Sequence, residues 1–111
     1  YRANRKLGRG GGVCIYVSDF VMSNFSISGI DTDTHSADSL FLKVTSSLAS
    51  FVLGCVYRAP SNDFHSDVKL FSTLTNIAND YANLVIFGDL NMPDLKWPLS
   101  SPVAPNQSAH Y

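Results

Sequence analysis

Four residues, Gly88-Asp89-Leu90-Asn91, follow directly on the apolar run Leu84-Val85-Ile86-Phe87 and are stopped by Met92-Pro93. A carboxylate such as Asp89 can take a proton from water or hold a hard cation. A carboxamide beside it, Asn91, can fix that water or a phosphoryl oxygen without adding a second negative charge. If the backbone stays extended through Asp89-Leu90-Asn91, alternation sends both polar side chains to one side and Leu90 toward the core. The same residue types also make an ordinary polar turn after a strand. Both readings stand on the residues alone.

A second group ends another apolar run. Tyr57-Arg58-Ala59-Pro60 delivers a phenol and a guanidinium just where Phe51-Val52-Leu53-Gly54-Cys55-Val56 finishes. Arginine forks onto phosphate, and a tyrosine hydroxyl donates to a phosphate oxygen or a developing oxyanion. Tyr57 is equally readable as a core residue with its hydroxyl in water.

The elements that would position these groups follow from periodicity. Val13 to Val17 reads as a strand with Val13, Ile15 and Val17 on one face. Ser18 to Asp38 is polar and turn-rich, with a short strand-like interruption around Phe25-Ser26-Ile27. Leu40, Leu42 and Val44 alternate with Phe41, Lys43 and Thr45, and Ser46-Ser47 makes a turn. Phe51 to Tyr57, apolar on both faces, reads as a central strand. A helix over 63–82 is expected, capped by Asn62 or Ser61, with an apolar stripe of Phe64, Val68, Phe71, Leu74, Ala78 and Tyr81. Leu84 to Phe87 then reads as a short buried strand, and the proline-rich segment beyond Met92 as loop. Three strands, a helix and a strand favour a mixed sheet of the α/β or α+β kind. If the helix is a crossover that lays strand 84–88 beside strand 51–57, the two polar strand ends meet.

Composition narrows the classes. The chain has 111 residues, 45% hydrophobic and 15% charged, which suits a soluble globular domain or a piece of one. Its start at Tyr1 fits a fragment. No apolar run approaches the ~20 residues that span a bilayer. Net charge is −1, yet Arg2, Arg5, Lys6 and Arg9 hold half of the 8 cations. That cluster is either a solvated basic tail or a phosphate contact. Gly8 to Gly12 is glycine-rich, but no Gly-Lys-Ser/Thr follows and a strand comes next, against a Walker-type phosphate cradle. Cys14 and Cys55 form no C-x-x-C and read as reduced core thiols, while His35, His65 and His110 are scattered. All 9 acidic residues are Asp, so any glutamate a mechanism needs lies outside this chain.

Taken together, "GRGGGVCIYV", "VLGCVYRAPSND" and, after a helix, "NLVIFGDLNMPDLKWP" resemble the apurinic-endonuclease-like endonuclease domain of non-LTR retrotransposons. That domain belongs to the endonuclease/exonuclease/phosphatase superfamily. The resemblance covers residues 1–97 as the central part of such a domain and leaves 98–111 as a Pro/Ser-rich loop or tail. It implies part of a four-layer α/β/β/α sandwich with mixed, mainly antiparallel sheets. It further implies cleavage of phosphodiesters with Mg²⁺ or Mn²⁺. Asp89 would orient and deprotonate the attacking water, Asn91 would hold it and the scissile phosphate, and Tyr57 would stabilise the phosphoryl group or leaving oxygen. Asp89 and Asn91 would give the metal at most secondary contacts, and Arg58 and Asn62 would contact phosphate or DNA. The implied partners are DNA and a C-terminal reverse transcriptase domain, in the nucleus or cytoplasm, with no membrane.

Parts of the family pattern are missing from this chain. The family's metal Asn and Glu come from strands N-terminal to this region, and its catalytic Ser-Asp-His region follows it. No Ser-Asp-His triplet occurs here, and His110 lies too close to Asp89 to be that histidine. The chain alone is therefore expected to hold part of a site, to be inactive, and to expose sheet edges that favour association. An inactive remnant that binds nucleic acid weakly through the basic cluster is the alternative. A phosphoinositide or sphingolipid phosphoester as substrate is a third reading, disfavoured by Tyr-Arg-Ala-Pro.

Overall fold

The computed structural model describes residues 1–4, 11–32 and 37–96. The elements are β1 (Arg2–Asn4), β2 (Gly12–Cys14), α1 (Asp19–Asn24), β3 (Ser26–Ile30), β4 (Asp38–Thr45), β5 (Ser50–Tyr57), α2 (Phe64–Asp80) and β6 (Leu84–Asp89). The expected tail at 98–111, the cations Arg5, Lys6 and Arg9, and the histidines His35 and His110 lie outside the described residues.

β4 and β5 form the central hairpin, in register from Asp38 with Tyr57 to Thr45 with Ser50. The Ser46 hydroxyl closes its turn by accepting from the N–H groups of Leu48 and Ala49, both at 3.2 Å. β3 adds antiparallel to β4, and β6 adds parallel to β5, giving the order β3-β4-β5-β6. A parallel neighbour cannot be reached by a tight turn, so α2 is the crossover. β1 and β2 make a separate antiparallel ribbon. The fold is thus α+β, with one mixed four-stranded sheet and one two-stranded ribbon.

Alternation divides the large sheet into two faces. One carries Phe41, Val52 and Val56, which pack with Leu70 and Ile77 of α2 into a buried cluster. The other carries Leu42 and Val44, also buried, and the β1–β2 ribbon lies against β4 and β5 there, with Ile15 buried beyond its end. Each fully buried aliphatic side chain stabilises the fold by about 1.5–3 kcal/mol. Gly54 keeps the helix-side face close-packed, since a Cβ there would stand 2.6 Å from the Phe41 ring.

Several expectations are corrected. The strand over 13–17 ends at Cys14, and Tyr16 is 95% exposed. Cys14 is exposed rather than a core thiol. The stretch read as turn contains α1, capped by the Ser18 hydroxyl accepting from Val21 N–H at 3.4 Å. The basic start contains β1. Asp63, not Asn62, caps α2 and accepts from Ser66 N–H at 2.7 Å. That bond holds the Asp63 carboxyl below its ordinary range.

The buried stripe of α2 keeps the expected Leu74 and Tyr81 but is otherwise displaced from the expected one. Leu70 and Ile77 are buried, with Leu74 and Tyr81 packed beside them, whereas Phe64 is 84% exposed. Both rows repeat at helical spacing, so periodicity could not choose between them; docking on Val52 and Val56 does. Lastly, the strand expected to be buried, β6, is the edge strand of the described sheet, and Val85, Ile86 and Phe87 are exposed.

Candidate functional site

The two polar strand ends do meet. β5 finishes at Tyr57 and β6 at Asp89, and these residues are register partners on adjacent parallel strands. Register partners share a face, so phenol and carboxylate leave the sheet on the ribbon side, one strand spacing (about 4.8 Å) apart. Asp38, the first residue of β4, is the partner of Tyr57 on the other flank. The result is a cross-strand row of Asp38, Tyr57 and Asp89. Asp38 went unread in the sequence, although it continues the Leu40-Leu42-Val44 alternation backward by one step. Its Oδ2 accepts from the Gly12 N–H at 3.2 Å, which draws the ribbon to the row.

Alternation that turns Tyr57 to the ribbon side turns Arg58 to the helix side, and this overturns the sequence reading of Arg58. Arg58 is 7% exposed and its guanidinium fork closes on Asp67, Nε to Oδ1 at 2.6 Å and Nη2 to Oδ2 at 2.8 Å. Nη1 donates to the carbonyls of Asn91 at 3.2 Å, Ala59 at 3.3 Å and Leu90 at 3.4 Å. Nη2 also donates to the Asn62 carbonyl at 3.4 Å. With its donors engaged inward, Arg58 is a clamp between β5, α2 and the segment after β6, with no fork left for phosphate. The bond to Arg58 holds the Asp67 carboxyl below its ordinary range and pushes the guanidinium further up. Asn62, expected at the substrate, hydrogen-bonds its side chain to Asp67 instead.

Asn91 also departs from its expected geometry. Its φ is +47°, so the chain does not run extended through Asp89-Leu90-Asn91. Asparagine tolerates this left-handed conformation better than most residues. The Asn91 N–H donates to Asp89 Oδ1 at 2.9 Å, and its Nδ2 donates to the Arg58 carbonyl at 2.8 Å. Arg58 N–H in turn donates to the Asp89 carbonyl at 2.9 Å. The turn reading is therefore realised: a polar turn stitches Asn91 to the end of β5 beside Asp89. Gly88 permits the approach, with φ +139° and only 1.8 Å between a notional Cβ and the Val56 carbonyl oxygen.

At this corner Asp89 Oδ2, Asn91 Oδ1 and the Tyr57 hydroxyl make no hydrogen bond to the described residues, whereas Asp89 Oδ1 and Asn91 Nδ2 are engaged. The first two are the hard oxygen donors that Mg²⁺ or Mn²⁺ accepts, and Mg²⁺ commonly takes only one or two protein ligands beside water and phosphate. No group of three or more His, Cys, Asp or Glu that could hold a metal occurs among the described residues. The donor set fits a secondary metal contact. Among the described residues, no helix is long and apolar enough to cross a membrane.

No protein-family model matches the chain, and the searches of curated proteins and of solved structures likewise gave no match.

Proposed function

We propose that Tyr57, Asp89 and Asn91 form one corner of the phosphoryl-transfer site of a metal-dependent phosphodiesterase that nicks DNA, as in retrotransposon endonucleases. The observation that carries this reading is the register pairing of Tyr57 with Asp89, with Asn91 stitched beside them. Asp89 Oδ2 accepts the proton of the attacking water, and Asn91 Oδ1 holds that water in line. The Tyr57 hydroxyl donates to the phosphoryl or leaving oxygen. The Asp89 and Asn91 oxygens would give Mg²⁺ or Mn²⁺ a secondary contact, and that ion would supply Lewis-acid stabilisation of the phosphate charge. The four-layer sandwich, the reverse transcriptase domain as covalent partner, and a nuclear or cytoplasmic setting belong to the same reading.

The test is nicking of supercoiled plasmid with Mg²⁺, using this chain joined to its flanking coding sequence. Asp89→Ala and Asn91→Ala should each abolish nicking. Wild-type rates in both variants would sink the assignment.

A second reading is favoured by the absence of Glu from the chain: an inactive remnant that binds nucleic acid through its basic start. Binding of that kind falls steeply with salt and disappears when residues 1–9 are removed. Flat salt dependence excludes it.

A further inference from the structure

Among the described residues no strand pairs with the outer edge of β6, and this edge has properties that the site does not use. Val52 N–H donates to the Asn83 carbonyl at 2.8 Å, and Arg58 N–H to the Asp89 carbonyl at 2.9 Å. In a parallel ladder this phase turns the backbone groups of Val85, Phe87 and Asp89 toward β5. Those of Leu84, Ile86 and Gly88 then point outward from the sheet. The side chains on this edge are apolar on both faces: Val85 is 53% and Phe87 44% exposed on the ribbon side, and Ile86 39% on the helix side. Edges are normally blunted by lysine, proline or a covering element. Among the residues of β6 the one charge is Asp89, at its end.

We propose that this edge joins two copies of the chain, β6 against β6, antiparallel about a two-fold axis at Ile86. The arrangement is self-complementary. Outward-facing Leu84, Ile86 and Gly88 pair with Gly88, Ile86 and Leu84 of the second copy. On the ribbon side each Val85 meets a Phe87, an aromatic and β-branched cross-strand pair. At the ends each Asp89 lies opposite the amide side chain of Asn83. Parallel pairing in register would set Asp89 against Asp89, so charge selects the antiparallel form.

The helix side supplies space for the contact. A groove of about 670 Å³ lies beside this edge, lined mainly by apolar groups including Phe71, Leu74, Ile86, Leu90 and Leu95. In the antiparallel register a Leu84 from the second copy arrives over Gly88, where no side chain stands in its way. Joining the copies produces a continuous eight-stranded sheet, twice the 4 strands of one copy, with the two Tyr57–Asp89 corners at opposite ends.

Sedimentation equilibrium of the full chain tests this, with dimer mass read as twice 12.1 kDa. Wild type should be dimeric, and Val85→Lys should be monomeric with unchanged far-UV circular dichroism. Adding Phe87→Glu to Val85→Lys should restore the dimer, because only the antiparallel register opposes positions 85 and 87. Amide exchange supplies a readout without substitution: Ile86 and Gly88 N–H should become protected as concentration rises, while Val85 and Phe87 N–H stay protected throughout. A folded wild type that remains monomeric overturns the proposal. So does a dimer that survives Val85→Lys, a double variant that stays monomeric, or concentration-independent exchange at Ile86.

Discussion

Arg58 and Asp67 close a two-point fork, 2.6 Å and 2.8 Å, across the junction of β5 with the first turn of α2. The same guanidinium holds the carbonyls of Leu90 and Asn91, so one side chain fixes both strand ends of the corner. Arg58→Lys keeps the charge but loses the planar fork, and should lower the denaturation midpoint nearly as far as Arg58→Ala. Urea titration of both variants is the measurement, and a lysine variant with wild-type stability contradicts the clamp.

The same pair predicts acid sensitivity. The Asp67 carboxyl is held below its ordinary range in the fold, chiefly by the hydrogen bond from Arg58. A depressed folded value contributes stability that is fully present above the unfolded value of about 3.9 and is lost as pH falls through the folded one. Stability measured from pH 6 down toward pH 2 should therefore drop below about pH 4. Asp67→Asn should start less stable and flatten that drop.

Gly88→Ala should cost at least about 1–3 kcal/mol, since it forces a side chain into a left-handed backbone. Its Cβ would also meet the Val56 carbonyl oxygen at 1.8 Å. Gly29→Ala is the control: a Cβ there meets nothing within 4 Å, so its unfolding free energy should stay within about 0.5 kcal/mol of wild type.

Tyr57→Phe removes a hydroxyl that bonds to nothing within the described residues, so stability should hold. In the plasmid assay, nicking should fall by about 10²- to 10³-fold, the size expected for one lost donor to a developing oxyanion. A loss of stability with unchanged nicking would make Tyr57 a structural residue.

The thiols should separate by reactivity. Cys14 is exposed, whereas burial, with a smaller contribution from Cys14, pushes the Cys55 thiol up. Timed labelling with a disulfide reagent at pH 8 should modify Cys14 first, and denaturant should equalise the two.

The central hairpin, the crossover helix and the meeting of Tyr57 with Asp89 were legible because they depend on alternation, helical spacing and connection rules. What escaped was set by partners far along the chain. The α2 stripe was right at Leu74 and Tyr81, which pack on the core, and wrong at Phe64, Val68 and Phe71, because the neighbouring row through Leu70 and Ile77 has the same period and only the sheet distinguishes them. β6 looked buried because its composition is that of a core strand, whereas its exposure follows from having one neighbour among the described strands. Arg58 looked like a phosphate ligand because strand alternation was not carried one residue past Tyr57. Asp38 and the left-handed Asn91 required the register of β4 and the backbone turn, neither of which a residue string records.

The parallel pairing of β5 and β6 also orders events in time. β4 and β5 are joined by a short turn and can zip locally, but Tyr57 and Asp89 become neighbours only after the entire α2 crossover has closed. The corner is assembled by the longest-range step in the sheet, and its integrity reports on that step alone. A ligand bridging Tyr57 and Asp89 binds only the closed arrangement, so by mass action it would latch β6 into the sheet.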